Sequence, residues 1–386
     1  MCKARETGRH RQEARETYDV AVLGSGPAGL MAAIEASRRN CRVLLIDENF
    51  KLGGQLFKQI HKFFGSSDHF AGTRGFRIGE MLAAELKNLR VETSLNTTVI
   101  GIFDAQSETK RLAIATYERS EEVLAKKVVV ATGAIENVVP FPGWTIPGVM
   151  GVGAAQTLMN IFRVPPGKRS LIVGAGNVGL IVAYQMLQAG IDVAAIVEAM
   201  PRIGGYGVHA AKILRMGVPI LLSHTIRKAI GTEHVEKAVI TEVNKNFKQI
   251  RRKEKTIDVD IICFAVGLTP NTELTRLAGC EHAYAHELGG WIPLHDNTME
   301  TTVDGIYVAG DLAGIEEASV AIDGGKLAGV SAAEALGFTT AEEAEKVRKG
   351  IWKRLNELRS GPFGEPRRKA NTRKVAEYRR KRENAQ

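Results

Sequence analysis

Two glycine-rich turns in this sequence have the residue types and spacing to hold a diphosphate. The first is Gly24-Ser25-Gly26-Pro27-Ala28-Gly29 and the second is Gly174-Ala175-Gly176-Asn177-Val178-Gly179. Between a strand and a helix, the first glycine lets the chain turn sharply. The second leaves bare backbone for a pyrophosphate, and the third lets the helix pack on the sheet. Free N–H groups and the positive end of the helix dipole then face the anion. An acid follows each turn where a ribose would lie: Asp47, with Glu48 beside it, and Glu198. A carboxylate there repels a 2′-phosphate, so the second site is expected to take NAD rather than NADP. A third element, Thr302–Asp311, reads as a strand ending in Gly310-Asp311, which places a carboxylate at the carboxyl edge of a sheet.

The elements that must position these groups are written twice. A strand at Tyr18–Leu23, a helix at Leu30–Arg39 and a strand at Arg42–Ile46 surround the first turn. A double glycine, Gly53-Gly54, follows with Gln55 next to it, then three strand-like runs closing on Ala131-Thr132-Gly133. The second copy runs from Ser170 through Glu198 and Gly204-Gly205 to three further runs, closing on Ala265-Val266-Gly267. Chance does not reproduce every offset, so the sequence predicts an α/β fold of two Rossmann-like domains, the second inserted into the first. The expected arrangement is an arm over 1–17, a flavin-binding domain from 18–147 and 265–340, an NAD-type domain over 148–264, and a helical, basic tail over 341–386. Gly24 to Gly29, Asp47, Glu48, Gly54, Gln55, Thr132, Gly133, Gly310 and Asp311 are the expected FAD contacts. Gly174, Gly176, Asn177, Val178, Gly179, Glu198 and Gly267 are those of the second nucleotide.

Length and composition bound the rest. The 386 residues, 44% hydrophobic and 25% charged, suit two or three globular domains. Four cysteines without a C-x-x-C pair offer neither a redox dithiol nor a zinc half-site, and a reducing cytoplasm is the expected setting. The first seventeen residues lack the apolar core of a signal peptide. The net charge of +9 is concentrated after Glu365, in a tail that reads as a solvated end or as a docking arm for a partner or an anionic membrane. No reading module for nucleic acid accompanies it. Cys280, His282 and His286 form a C-x-H-x3-H string without a fourth ligand, read as loop surface rather than a metal site. His209 reads either as a helix-surface histidine or as a group facing the second nucleotide or an interfacial flavin. No catalytic acid or base is identifiable.

The stretch from about Tyr18 to Phe338 resembles two-dinucleotide-binding-domain, glutathione-reductase-like flavoproteins. Within them it is similar to the A or alpha subunits of opine oxidase, sarcosine oxidase, hydrogen cyanide synthase and dye-linked proline dehydrogenase. The residues that carry this are Pro147-Gly148-Val149-Met150, Gly153-Ala154-Ala155-Gln156, Leu171 to Gly179, Gly204-Gly205-Tyr206 before Val208 to Lys212, Glu287-Leu288-Gly289-Gly290 and Gly310 to Ala318. The resemblance implies an FAD-dependent oxidoreductase subunit of an enzyme that oxidises an amine or amino acid. It implies a beta subunit carrying the substrate-oxidising flavin, NAD or ATP at one glycine turn, and FMN at a subunit interface. Longer relatives end in a cysteine-rich domain for an iron–sulfur cluster; here the last cysteine is Cys280, so a cluster is expected on a separate small subunit. Two alternatives stand beside this reading: a self-sufficient NADH:acceptor reductase, and a non-catalytic subunit holding structural ATP or NAD.

Overall fold

The computed structural model describes residues 17–385, so the expected arm and Cys2 lie outside the described residues. The chain begins with a β-α-β unit, β1 (Thr17–Leu23), α1 (Pro27–Arg38) and β2 (Val43–Ile46). Helix α2 (Gly75–Leu86) and β3 (Val91–Ser94) lead into an antiparallel meander, β4 (Thr98–Phe103), β5 (Lys110–Ala115) and β6 (Ser120–Val130). Short strands β7 (Ala134–Glu136) and β8 (Val149–Gly151) and helix α3 (Val152–Thr157) precede the second β-α-β unit: β9 (Arg169–Val173), α4 (Asn177–Gln188) and β10 (Asp192–Glu198). Helix α5 (Gly207–Arg215) and β11 (Ile220–Leu222) follow. A second meander comes next, β12 (His224–Ile230), β13 (Lys237–Val243) and β14 (Gln249–Asp258), then β15 (Ile261–Phe264) and β16 (Leu268–Pro270). The last third holds α6 (Glu273–Leu277), the pair β17 (His282–Ala285) and β18 (Gly290–Pro293), β19 (Ile306–Val308), and helices α7 (Ala318–Ala335), α8 (Ala341–Leu358) and α9 (Gly361–Ala385).

These elements form two compact units, residues 17–54, 79–133 and 271–385 in one, 55–78 and 134–270 in the other. The units are drawn differently from the sequence-based boundaries. Residues 55–78 group with the second unit, where Asn160 Nδ2 donates to the Lys58 carbonyl at 2.7 Å. Residues 134–147 group there too, because the Pro142 and Pro147 carbonyls accept from Ala229 and Val235 of the second meander, each at 2.9 Å.

In the first unit the order is β3-β2-β1-β6-β5-β4, with β19 also pairing β6. Strands β1, β2, β3 and β19 run parallel to their neighbours, and the meander is antiparallel. The second unit repeats the theme with a parallel β11-β10-β9-β15-β8 sheet and a separate β12-β13-β14 meander. Its central sheet is buried on both faces, so its strands read as continuous apolar runs. Ile172, Ile196 and Cys263 face a cluster with Leu180 and Ile213 of the helices. Their neighbours Leu171, Val197 and Phe264 face Ile226 and Ile240 of the meander. In the first unit the tightest helix packing is α7 on α1. A side chain at Gly325 or Gly329 would run into the Ala28 or Ala32 carbonyl oxygen.

The tail expected to be a solvated end or docking arm is instead mostly the folded helix α9. Ala370, Lys374 and Tyr378, four residues apart, form its buried stripe. A stripe built from Ala, Lys and Tyr carries no strong apolar signal, which is why sequence periodicity did not reveal it. No helix among the described residues is long and apolar enough to cross a membrane.

Filling the α1–α7 contact should be costly. Gly329→Val is expected to destabilise the protein by roughly 3 kcal/mol through overpacking, read as a lower thermal unfolding midpoint. An unchanged midpoint would refute the close approach.

Candidate functional site: two glycine turns and a buried-edge aspartate

The first turn follows β1, whose last residue, Leu23, lies opposite Ile46 of β2 and Val130 of β6. Gly24 sits at φ +100°, in the left-handed region that favours glycine, and a Cβ there would lie 2.5 Å from the Ala131 carbonyl oxygen. Gly29 abuts the Gly24 carbonyl, which is how α1 packs so close to the strand. Gly26 differs: a Cβ there would meet no atom within 4 Å. Gly26 is also the N-cap of α1, with no side-chain cap and no acid in the first turn. The donors at this helix end are left without a protein acceptor from a cap, in front of open space.

The second turn reproduces each feature. Gly174 sits at φ +112° against the Ala265 carbonyl, Gly179 abuts the Gly174 carbonyl, and Gly176 has nothing within 4 Å of a Cβ. Gly176 caps α4, again without a side-chain cap or a first-turn acid. The double glycines explain their offset. Gly53 N–H donates to the Ser25 carbonyl at 3.0 Å, and Gly205 N–H donates to the Ala175 carbonyl at 2.9 Å. Gly54 and Gly205 pack so closely on the turns that a Cβ would come within 2.8 Å of Gly26 Cα in one and 2.9 Å of the Gly176 carbonyl carbon in the other.

The acids are less alike. Asp47 is buried and accepts four hydrogen bonds: from Ser25 N–H and Ser25 Oγ at 2.6 Å each, and from Asn49 N–H and Nδ2 at 2.8 Å each. Four donors use the capacity of a carboxylate, so Asp47 anchors the turn and has nothing left for a ribose. Exposed Glu48 is the adjacent carboxylate turned to solvent. Glu198 is half-buried and accepts only from Ala175 N–H at 2.8 Å and Met200 N–H at 2.9 Å, which leaves half its capacity available.

Asp311 lies after β19, in the short turn Gly310–Ala313, and only Ile306–Val308 of the expected strand is extended. Gly310 stands directly over the Ala28 side chain, which joins this segment to the first turn. Burial, with Glu316 and Glu317 nearby, pushes the Asp311 carboxyl up to about 6. Thr132 and Gly133 close the same edge: Thr132 Oγ1 donates to the Asn271 carbonyl and Asn271 N–H to the Gly133 carbonyl, both at 3.0 Å. In the second unit the Gly267 carbonyl accepts from Asn137 N–H at 3.0 Å, and Asn177 Oδ1 accepts from Tyr206 N–H at 2.7 Å. Val178 is exposed, whereas Ala28 at the equivalent position is buried. Gln55 is exposed at the start of a 3-10 turn. The residues present fit a dinucleotide in each unit: uncapped helix ends, a bare second glycine, and an acid at the end of the next strand.

Other readings change. His209 is a buried residue of α5, not a surface one, with Phe64 edge-on at 5.8 Å and Tyr206 at 6.3 Å. Burial, followed by His209 and Lys212, pushes His61 down to about 4, and its Nδ1 has no hydrogen-bond partner. Sequence analysis missed this histidine pair because its members stand far apart in the chain and no motif includes His61. Cys280 donates to Thr301 Oγ1 at 3.3 Å and His282 Nε2 bonds Thr275 Oγ1 at 2.9 Å, so both face different partners.

Two bare glycine turns, each ahead of an uncapped helix in its own parallel sheet, define a two-dinucleotide-domain flavoprotein. The family model of the pyridine nucleotide-disulphide oxidoreductases matches residues 18–325, and the chain belongs to that family, as an FAD-dependent oxidoreductase. The opine oxidase A-type polypeptide of Agrobacterium tumefaciens (strain Ach5) is 31% identical over 335 residues, 82% of this chain and 65% of that protein. Hydrogen cyanide synthase subunit HcnB of Pseudomonas aeruginosa is 28% identical over 80% of this chain and 69% of its own length. The crystal structure of L-proline dehydrogenase from P. horikoshii superposes with a TM-score of 0.69 at 25% identity, covering 90% of this chain and 61% of that one. The chain therefore spans about 65% of the opine oxidase polypeptide it matches.

The Asp311 shift has a sign that can be measured in nucleotide-free protein. Its folded pKa lies above the ordinary 3.8, so its stabilising contribution is complete below about 3.8 and is lost as pH rises through about 6. Asp311→Asn is expected to gain on the order of 2 kcal/mol relative to the parent between pH 4 and pH 7, measured by chemical denaturation. A difference independent of pH would contradict the assignment.

Proposed function

We propose that this chain is the FAD-binding subunit of a heteromeric dehydrogenase or oxidase acting on an amine or amino acid of the proline, sarcosine or opine type. The observation that carries the reading is the open space at Gly26 and Gly176 before two uncapped helix ends. The names of the relatives supply the substrate class and the multi-chain character.

In this reading the Gly24–Gly29 turn and the N-terminus of α1 hold the FAD pyrophosphate. Asp47 keeps the turn rigid, Glu48 meets the ribose, and Gly54 closes over Gly26. Thr132, Gly133, Gly310 and Asp311 line the carboxyl edge, where the Asp311 carboxylate accepts from ribityl hydroxyls. In the second unit Gly174, Gly176, Asn177, Val178 and Gly179 receive the diphosphate of NAD, Gly267 borders it, and Glu198 accepts from its ribose. When bound, the isoalloxazine ring supplies the two-electron chemistry. The residues of this chain bind and orient it, and they keep a negative charge at the ribose that disfavours a 2′-phosphate. A beta subunit would carry the substrate-oxidising flavin, with FMN at the interface. A small iron–sulfur subunit would be the further member. Cytoplasmic residence accompanies this reading.

Because a side chain at Gly26 meets no protein atom and its φ of −63° is ordinary, Gly26→Val should fold normally. It should lose more than tenfold of its bound flavin, measured by visible absorbance against unchanged circular dichroism. Chromatography of the ligand released on denaturation separates FAD from ATP at this turn. Gly176→Val should lose NADH binding while keeping flavin. Wild-type flavin content in Gly26→Val would overturn the proposal. Bleaching of the flavin by NADH in the isolated chain would favour a self-sufficient reductase instead.

A further inference from the structure

The groove between α8 and α9, within the first unit, lies outside the nucleotide turns. It encloses about 1040 Å³, with Trp352, Thr372 and Val375 among its walls and His295 and Lys374 among its lining residues. Lys374 is buried, and its three donors are taken by His295 Nε2 at 2.6 Å, Asn371 Oδ1 at 2.8 Å and the Ala313 carbonyl at 3.3 Å. Burial and then Arg359 push Lys374 down to about 7, so the groove is lined by a strongly electropositive environment.

The cations of the two helices sort by what they face. Those reaching the rest of the unit have carboxylates: Arg359 pairs with Glu316 at 2.7 Å, Arg367 with Glu317 at 3.0 Å, Arg373 with Glu287 at 2.8 Å and Arg382 with Asp304 at 2.7 Å. Those lining the groove differ. Lys349 and Lys353, one turn apart on α8, and Arg379 on α9 have no ion-pair partner among the described residues. Of the two carboxylates in the lining, Glu345 is already bonded to Arg348 at 3.1 Å, leaving Glu357. Like charges one helical turn apart repel unless something outside the helix neutralises them.

We propose that the α8–α9 groove is the docking site of an acidic segment of another protein, whose carboxylates supply the counter-charges that Lys349, Lys353 and Arg379 lack. The donors are spread over two helices, so a chain with repeated carboxylates engages them together, whereas a single small anion reaches one or two. They also border a recess, which suits a protruding segment better than a flat lipid surface. The apolar faces of Trp352 and Val375 offer contacts for the side chains between carboxylates. This inference is independent of which nucleotide occupies either turn.

The test uses the purified full chain with whatever cofactor it retains and a fluorescein-labelled (Glu-Ala)5 peptide, read by anisotropy. Saturable binding is expected at 50 mM salt, weakening steeply toward 300 mM as charges are screened. K349E/K353E/R379E should weaken it at least tenfold, and the milder K349Q/K353Q should weaken it severalfold, both with unchanged circular dichroism. A charge-matched control on the second meander, K228E/K245E/K248E, should bind like the parent. Equal loss in the control would mean bulk charge, and unchanged binding in the groove variants would place the peptide elsewhere; either overturns the proposal, as does no saturable binding. Competition by equimolar pyrophosphate would reassign the groove to small anions. Groove-dependent binding of phosphatidylserine vesicles without peptide binding would reassign it to a membrane.

Discussion

The structure depends on one steric constraint, applied twice: the strand, the turn and the helix must come together with no side chain between them. Gly29 and Gly179 bring the helix onto the carbonyl of the first glycine of each turn. That contact leaves the second glycine projecting into free space before a helix end that has no cap of its own. The sheets, the double glycines and the acids all serve this geometry. Gly53 and Gly205 fasten the turns from one side by backbone hydrogen bonds, and Asp47 and Glu198 fasten them through the N–H of the residue between the first two glycines. A turn held this way is organised before any ligand arrives, so binding does not have to order it.

The two copies differ in what they leave over. Asp47 spends its whole capacity on its own turn, whereas Glu198 spends half. Buried Ala28, under Gly310, ties the first turn to the Asp311 segment; exposed Val178 has no such cover. Duplicated architecture has thus been adapted at single residues, and the first turn is the more enclosed.

Much of this was legible in the sequence because backbone geometry restricts residue choice there. Only glycine meets the demands at 24, 29, 174 and 179, and apolar runs such as Leu171–Val173 announce a doubly covered sheet. What stayed hidden depends on contacts between distant residues of ordinary type. The inward turn of Asp47 depends on Ser25 and Asn49. The burial of His209 depends on Phe64, far earlier in the chain. The folding of the basic tail depends on Lys374 finding His295, Asn371 and a carbonyl, and on Glu316 meeting Arg359. A lysine in a buried stripe is rare enough that no pattern rule anticipates it.

The chain passes between its two units four times, so that neither is a continuous stretch. The sheet of the second unit has all its strands once Phe264 has been synthesised, while that of the first still waits for β19 at Ile306–Val308. During translation, which releases roughly 5–20 residues each second, β6 must remain without its β19 neighbour for several seconds after the inserted unit can close. The protein is therefore assembled from its middle outward, and the site built around Asp311 is the last to exist.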